Sequence, residues 1–227
     1  MLNQTPLSNE VYGEDYFAGK NCSSWKYGVS MEAKRRSEGI APYLTMETFD
    51  LWDNKKVLDC GAGRGHLVSF LNEYGANTCG LDFSKYAIDN TVAHGRVILG
   101  DMTKLPYNDN SFHLVISREN FEHLTVEQAN QAFEEMLRVS NKWIYLTICV
   151  DPNSKDEDKV GTDFDRDLTH ISYCSRIFWL KRFHYYTDKG LIKRDFEKEK
   201  IMDWRGYGRV FVYEKLRDFQ QEDKVVW

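Results

Sequence analysis

The chain has 227 residues, with 30 Lys and Arg against 35 Asp and Glu for a formal net charge of −5, and 42% of its residues are hydrophobic. This suits one soluble α/β domain with a sizeable core, and the acidic balance speaks against a general nucleic-acid binder, which needs excess Lys and Arg to neutralise phosphates. The longest apolar run, residues 143–150, falls far short of the roughly 20 residues of a membrane-spanning helix.

Residues 1–6 carry neither the basic start nor the apolar stretch of a signal peptide. Five scattered cysteines (Cys22, Cys60, Cys79, Cys149, Cys174) form no C-x-x-C pair, which fits a reducing, cytoplasmic compartment and no thiolate zinc site. Residues 1–52 are rich in aromatics (Tyr12, Tyr16, Phe17, Trp25, Tyr27, Tyr43) and turn helical from about residue 30. Gly39 and Pro42 predict a kink there, or a split with Pro42 near the start of the second piece. From Lys56 short apolar strands alternate with amphipathic helices, the signature of a parallel sheet with helical crossovers. The first strand is read at 57–60 and the next helix at about 64–74, with Leu67, Phe70, Leu71 and Tyr74 on one buried face. Strands follow at 77–81, 96–99 and 112–117, and Ser84 is placed to cap a helix after the second. In the clearest helix, Thr125 and Gln128 form a capping box ahead of an apolar stripe of Ala129, Ala132, Phe133, Met136 and Leu137. Residues 142–150 read as a fully buried fifth strand. The stretch 151–169, with seven acids and three bases, is a long polar loop: a lid or a disordered segment. A helix at about 175–186 ends near Gly190. Segments 191–197 and 209–214 flank a turn with Gly206 and Gly208, which predicts an antiparallel pair closing the sheet. Residues 1–52 thus read as a helical lid on a domain at 53–227, the whole being one structural domain.

Asp59-Cys60-Gly61-Ala62-Gly63-Arg64-Gly65 lies between a predicted strand and a predicted helix, and three glycines in five positions let backbone approach a ligand closely. Dinucleotide-binding folds share such a turn. A G-x-G-x-x-G would need glycine where His66 stands, however, and no P-loop motif exists. Asp82, 17 residues after Gly65, ends the second strand, where a carboxylate can accept from both hydroxyls of a ribose. Asp101 follows the third, where it can accept from an adenine amine with Met102 packed on the ring. Either acid alone also reads as a strand-end cap or a solvated turn. Together with the glycine turn they point to a nucleoside without a diphosphate.

These residues, with Gly80-Leu81-Asp82-Phe83-Ser84, Gly100-Asp101-Met102, Leu105-Pro106, the segment 111–117 and Glu122-His123-Leu124, resemble the ordered motifs of class I S-adenosylmethionine-dependent methyltransferases. The nearest likeness is to the small-molecule group with Leu-Pro-x-x-x-x-x-Phe-Asp before the fourth strand, although His113 replaces that Asp. The likeness is strong over about residues 55–150. It implies a Rossmann-like, mostly parallel seven-stranded sheet with helices on both faces, an N-terminal helical cover, and S-adenosylmethionine at the carboxyl ends of the strands. Carried over by position, Gly61, Gly63 and Gly65 line the methionine and ribose portions and Asp59 helps place the methionyl amine. Asp82 holds the ribose, Asp101 and Met102 the adenine, and Ser117 approaches the sulfonium; Ala62 and Phe83 complete the set. Tyr16-Phe17 and the segment 24–28 resemble the family's lid, which brings Trp25 and Tyr27 to the cofactor.

A sulfonium is an activated methyl donor, so catalysis rests largely on holding a nucleophile in line, about 3–3.5 Å from the methyl carbon, away from water. Where the nucleophile must lose a proton, His123 and His170 are the candidate bases because histidine titrates near neutrality. A structural or surface hydrogen bond is the alternative for each. Glu119 and Glu122 could orient a substrate amine or the histidine, or sit solvated at a helix start. Ser117-Arg118-Glu119-Asn120 lacks the Asn/Asp-Pro-Pro-Tyr/Phe motif of amino-methylating nucleic-acid and protein enzymes, and no Pro-Cys serves cytosine C5. No His/Asp cluster with ligand spacing indicates a metal. Residues 1–175 hold 17 bases and 26 acids, whereas 176–215 hold 11 and 6, a basic section that suits an anionic partner or a solvated face. The sequence reading is therefore a methyltransferase acting on an oxygen or nitrogen of a small molecule. Its rivals are a cofactor-binding scaffold without turnover and a nicotinamide-dependent oxidoreductase, the latter disfavoured by His66 and by Asp101-Met102.

Overall fold

A computed structural model describes residues 4–20, 29–51, 53–151, 167, 169–203 and 208–225. Strands β1 (Lys56–Cys60), β2 (Asn77–Asp82), β3 (Val97–Leu99), β4 (Phe112–Arg118), β5 (Ser140–Thr147), β6 (Ile192–Arg194) and β7 (Val210–Lys215) form one sheet in the order β3-β2-β1-β4-β5-β7-β6. β7 runs antiparallel to both its neighbours, and the remaining pairs are parallel. The helices are α1 (Glu14–Phe17), α2 (Val29–Pro42), α3 (His66–Glu73), α4 (Lys85–Asp89), α5 (Val126–Val139), α6 (Arg176–Asp188) and α7 (Phe196–Met202). None of the described helices is long and apolar enough to cross a membrane.

Successive side chains of a strand point to opposite faces, and the central strands are apolar at both parities, so each feeds two cores. Leu58, Val115, Ile144, Leu146, Phe211 and Tyr213 pack with residues of α5 and α6 on one face. Val57, Leu114, Ile116, Tyr145 and Val212 pack with Leu67 and Leu71 of α3, Ala41 of α2 and Met202 of α7 on the other. The expected sheet, with helices on both faces, is the one found. α5 begins as its sequence requires: Thr125 Oγ1 accepts from Gln128 N at 3.2 Å, and Gln128 Oε1 accepts from Thr125 N at 3.0 Å. Its five stripe residues are all buried.

Four local expectations are corrected. α3 ends at Glu73 and the chain turns at Gly75, so Tyr74 is exposed and Val68 takes its place in the interior. α2 runs unbroken through Gly39, so that interruption is absent, whereas the split with Pro42 at the start of a second piece is found, Pro42 preceding a π-helical turn, Tyr43–Thr48. β5 starts earlier and stops at Thr147, and it is not buried throughout, because Asn141 and Lys142 are exposed. β6 and β7 are antiparallel neighbours, yet a helix lies between them: Asp195 accepts from Lys198 N at 2.9 Å and caps α7 where a turn was read.

Phe133 on α5 is 1% exposed and lies 4.5 Å from the Phe183 ring and 5.0 Å from the Tyr186 ring, centroid to centroid. Phe133→Ala is expected to lower the unfolding free energy by about 3–5 kcal/mol and Thr125→Ala by about 1 kcal/mol, both measurable by denaturant titration.

Candidate active site

β1 delivers the chain to a turn that folds against the end of β2. Gly61 N and Ala62 N both donate to Leu81 O, at 2.9 and 3.0 Å. Gly61 has φ +76°, and a Cβ there would run into the carboxamide of Asn120. Asn120 Nδ2 donates to Cys60 O (3.1 Å), Ser117 Oγ (3.1 Å) and Arg118 O (2.9 Å), pinning the ends of β1 and β4 together. At Gly63 (φ +53°) a Cβ would make an ordinary van der Waals contact with Phe17 Cε1, at 3.8 Å, so it is the left-handed backbone rather than crowding that favours glycine here. Gly65 departs from its expected role. A Cβ there would lie 2.9 Å from both Ala93 Cβ and Val97 Cγ2, and the residue serves packing at the start of α3 rather than the cavity wall.

The strand ends surround a cavity of about 690 Å³. Asp59, Gly61, Ala62, Gly63, Asp82, Phe83, Asp101, Met102, His123 and His170 are among the residues that line the cavity. Asp82 is half-buried. Its Oδ2 accepts from Gly63 N at 2.7 Å and its Oδ1 from Ser84 N at 2.8 Å. Burial raises its pKa, and the two N–H donors work against that rise. Asp101 Oδ1 accepts from both the backbone N and the hydroxyl of Thr103, each at 2.8 Å. Asp59 is 3% exposed. Burial pushes its carboxyl up to about 7, with Arg118 opposing and Asp82 reinforcing the shift. Trp25 and Tyr27 lie outside the described residues.

Ser117 is a second correction. It is fully buried and accepts from Asn120, so Arg118, Glu119 and Asn120 form the wall in its place. β4 extends one residue beyond its predicted end, which moves the lining residues along the chain. Glu119 then takes a left-handed conformation (φ +55°), with its N donating to Thr147 O at 2.7 Å and its carboxylate 3.8 Å from Arg36 and 3.6 Å from Arg209.

The N-terminal segment closes over this cavity. Ser84 Oγ, which caps α4, donates to Tyr12 O at 2.6 Å, and the Phe17 ring stacks on Tyr86 at 5.5 Å. Tyr12 and Tyr16 meet the His123 ring edge-on, at 5.7 and 6.2 Å. His123 and His170 are themselves in contact, 4.6 Å between centroids. His123 Nδ1 lies 2.9 Å from Thr169 Oγ1 and 3.2 Å from Thr169 O, and His170 Nε2 lies 3.6 Å from Asp167 Oδ2. Beside them Glu122 is completely buried and accepts from Cys149 N at 3.0 Å. Burial pushes Glu122 up to about 8, Glu119 adds to the rise and His170 opposes it. Sequence reading missed Asn120, Tyr12, Asp167 and Cys149 as parts of this site. Only Tyr12 carried a signal, in the aromatic density of its segment.

Residues 58–143 match the family model described as a methyltransferase domain. Over 152 residues the chain is 29% identical to the phosphoethanolamine N-methyltransferase of Plasmodium falciparum (isolate 3D7), covering 64% of this chain and 54% of that one. The chain thus spans about half the length of that relative. Among solved structures, the PH0226 protein from Pyrococcus horikoshii OT3 gives a TM-score of 0.58 at 20% identity, covering 87% of this chain and 96% of that one. The [4+2]-cyclase SpnF gives 0.61 at 15% identity, covering 92% and 97%. At such identities the two structures show a shared fold.

The position of Asp59 carries a pH dependence. Its folded pKa of about 7 stands above the unfolded value of about 3.9. Its contribution is therefore complete below about pH 3.9 and is lost as the pH rises through about 7. Asp59→Asn removes that loss, so the difference in melting temperature between variant and wild type is expected to grow in the variant's favour from pH 5 to pH 8. Parallel melting profiles would contradict it.

Proposed function

We propose that this chain, which carries a methyltransferase domain on the class I S-adenosylmethionine-dependent methyltransferase fold, binds S-adenosylmethionine in the cavity and transfers its methyl group to an oxygen or nitrogen of a small acceptor. The observation that carries the reading is Asp82, fixed by Gly63 N and Ser84 N at the wall of the cavity that Asp82 and Gly63 both line. A carboxylate that takes one backbone donor on each oxygen keeps further lone pairs for a vicinal diol, and a nucleoside with no diphosphate suits the absence of a phosphate-binding glycine at His66.

In this reading Asp82 and Phe83 hold the ribose, Asp101 and Met102 the adenine, and Gly61, Ala62 and Gly63 the methionyl portion with Asp59 beside its ammonium. Trp25 and Tyr27, which lie outside the described residues, are assigned to the cofactor by the resemblance alone, while Ser117 and Gly65 support the site from behind it. When bound, S-adenosylmethionine supplies a methyl group already activated on sulfonium. Tyr12, Tyr16 and Phe17 exclude water. His123 and His170 hold the nucleophilic atom of the acceptor and receive its proton where one is lost. The cavity of about 690 Å³ falls among small-molecule sites, which supports a small acceptor, as does the name of the phosphoethanolamine N-methyltransferase relative. The free thiols of Cys60, Cys79, Cys149 and Cys174 support a reducing, cytoplasmic setting.

Calorimetry with S-adenosylhomocysteine is expected to show one site per chain, and Asp82→Ala to weaken it at least about tenfold by removing charge-assisted hydrogen bonds, with thermal melts confirming that the variant folds. No binding to the wild-type chain would refute the reading. Binding without methyl transfer across a broad panel of small alcohols, acids and amines would leave a cofactor-binding scaffold.

A further inference from the structure

We propose that Glu122, His123 and His170 form a site for one divalent transition-metal ion in the wall of the cavity. One ligand atom from each lies within 4.8 Å of the other two, and all three residues line the cavity. A second observation points the same way. Glu122 is fully buried and its Oε1 accepts from Cys149 N, yet its Oε2 accepts no hydrogen bond among the described residues. A buried carboxylate oxygen left in that condition costs stability and calls for an explanation. A cation between Oε2 and the two imidazoles supplies one.

The surroundings have the character of an outer shell. Ligating histidines commonly engage a carbonyl, hydroxyl or carboxylate through the other ring nitrogen, which fixes ring orientation. His123 Nδ1 is engaged with Thr169 O and Oγ1. Asp167, 6% exposed, accepts from Thr169 N (2.9 Å) and Thr169 Oγ1 (2.6 Å) through Oδ1, and its Oδ2 lies 3.6 Å from His170 Nε2. One carboxylate thus braces the residue that holds His123 and lies beside His170. Two imidazoles and a carboxylate suit zinc, cobalt or iron(II) better than magnesium, and three protein ligands leave coordination positions for a ligand in the cavity.

The ion's role rests on the methyl-transfer reading. With the ion bound, an acceptor hydroxyl at the open position would be more acidic and would lose its proton to bulk water before the aromatic cover closes; His123 and His170 would then serve as ligands in place of the proton-accepting role they have in the metal-free reading. The binding itself is independent of that reading and is tested without any S-adenosyl compound.

Chelator-treated full chain would be dialysed against zinc(II) or cobalt(II), metal counted per chain, and the cobalt ligand-field spectrum recorded. One ion per chain is expected, bound at least about tenfold more weakly in Glu122→Gln and in His170→Gln. His184→Gln, at a residue whose side chain is 68% exposed on α6, should match wild type. Melts in chelator report whether each variant folds, and His123→Gln carries the comparison if Glu122→Gln does not. Failure of both ions to bind, or unchanged affinity in folded variants, overturns the site. S-adenosylhomocysteine binding to the metal-free chain reports separately on the methyltransferase reading.

Discussion

The carboxylate of Asp82 accepts hydrogen bonds from Gly63 N and Ser84 N, and through them it joins the turn after β1, the end of β2 and the first turn of α4. The linkage continues outward. The hydroxyl of Ser84 accepts from Ala87 N to cap α4 and donates to Tyr12 O, which seats the N-terminal cover. Burial alone would favour the neutral acid, and the two backbone donors are what oppose it. The glycine turn, the carboxylate at the end of β2 and the cover are thus consequences of one local arrangement rather than separate features.

The sheet explains why that arrangement sits where it does. β1 lies between β2 on one side and β4 on the other, so the crossovers run in opposite directions from this point and the strand ends part. Asn120 closes the inner part of the gap, bonding to the last carbonyl of β1 and to Ser117 and Arg118 of β4. What remains open is the cavity. Glu119, in its left-handed conformation next to Asn120, turns the chain from the strand end into the segment bearing Glu122 and His123. Backbone strain of this kind persists only where the surroundings hold it, and the 2.7 Å bond from Glu119 N to Thr147 O is part of that hold.

Those parts of the structure decided by near neighbours in sequence were legible beforehand. The capping box of Thr125 and Gln128, the stripe on α5, the parallel strands and the two acids at strand ends all follow from local pattern. Features decided by long-range packing were not. Ser117 and Gly65 have the right spacing for a cofactor wall but are turned into the interior, one by the extension of β4 and Asn120, the other by Ala93 and Val97. His123 and His170 stand 47 positions apart in the chain, and no ligand or triad spacing connects them; the fold of β5 and the return of the chain to Ser172, whose N donates to Glu122 O, bring them together. The helix after β6 is seven residues long and follows a strand of three, too short for an apolar period to separate the two, and its start is set by the bond from Lys198 N to Asp195 Oδ1.

The antiparallel strand β7 has a consequence for the order of assembly. Its place is between β5 and β6, although it follows both in sequence. As a chain is synthesised from its N-terminus, β1 to β5 have their parallel partners available, yet the outer edge of β5 stays open until residues 210–215 emerge. β6 has no neighbour to pair with before that moment, and the ring cluster of Phe133, Phe183 and Tyr213 waits on the same segment. A nascent chain released before residue 210 would therefore present an unpaired apolar strand, and the interval before β7 inserts is when this protein is most exposed to chaperones or to self-association.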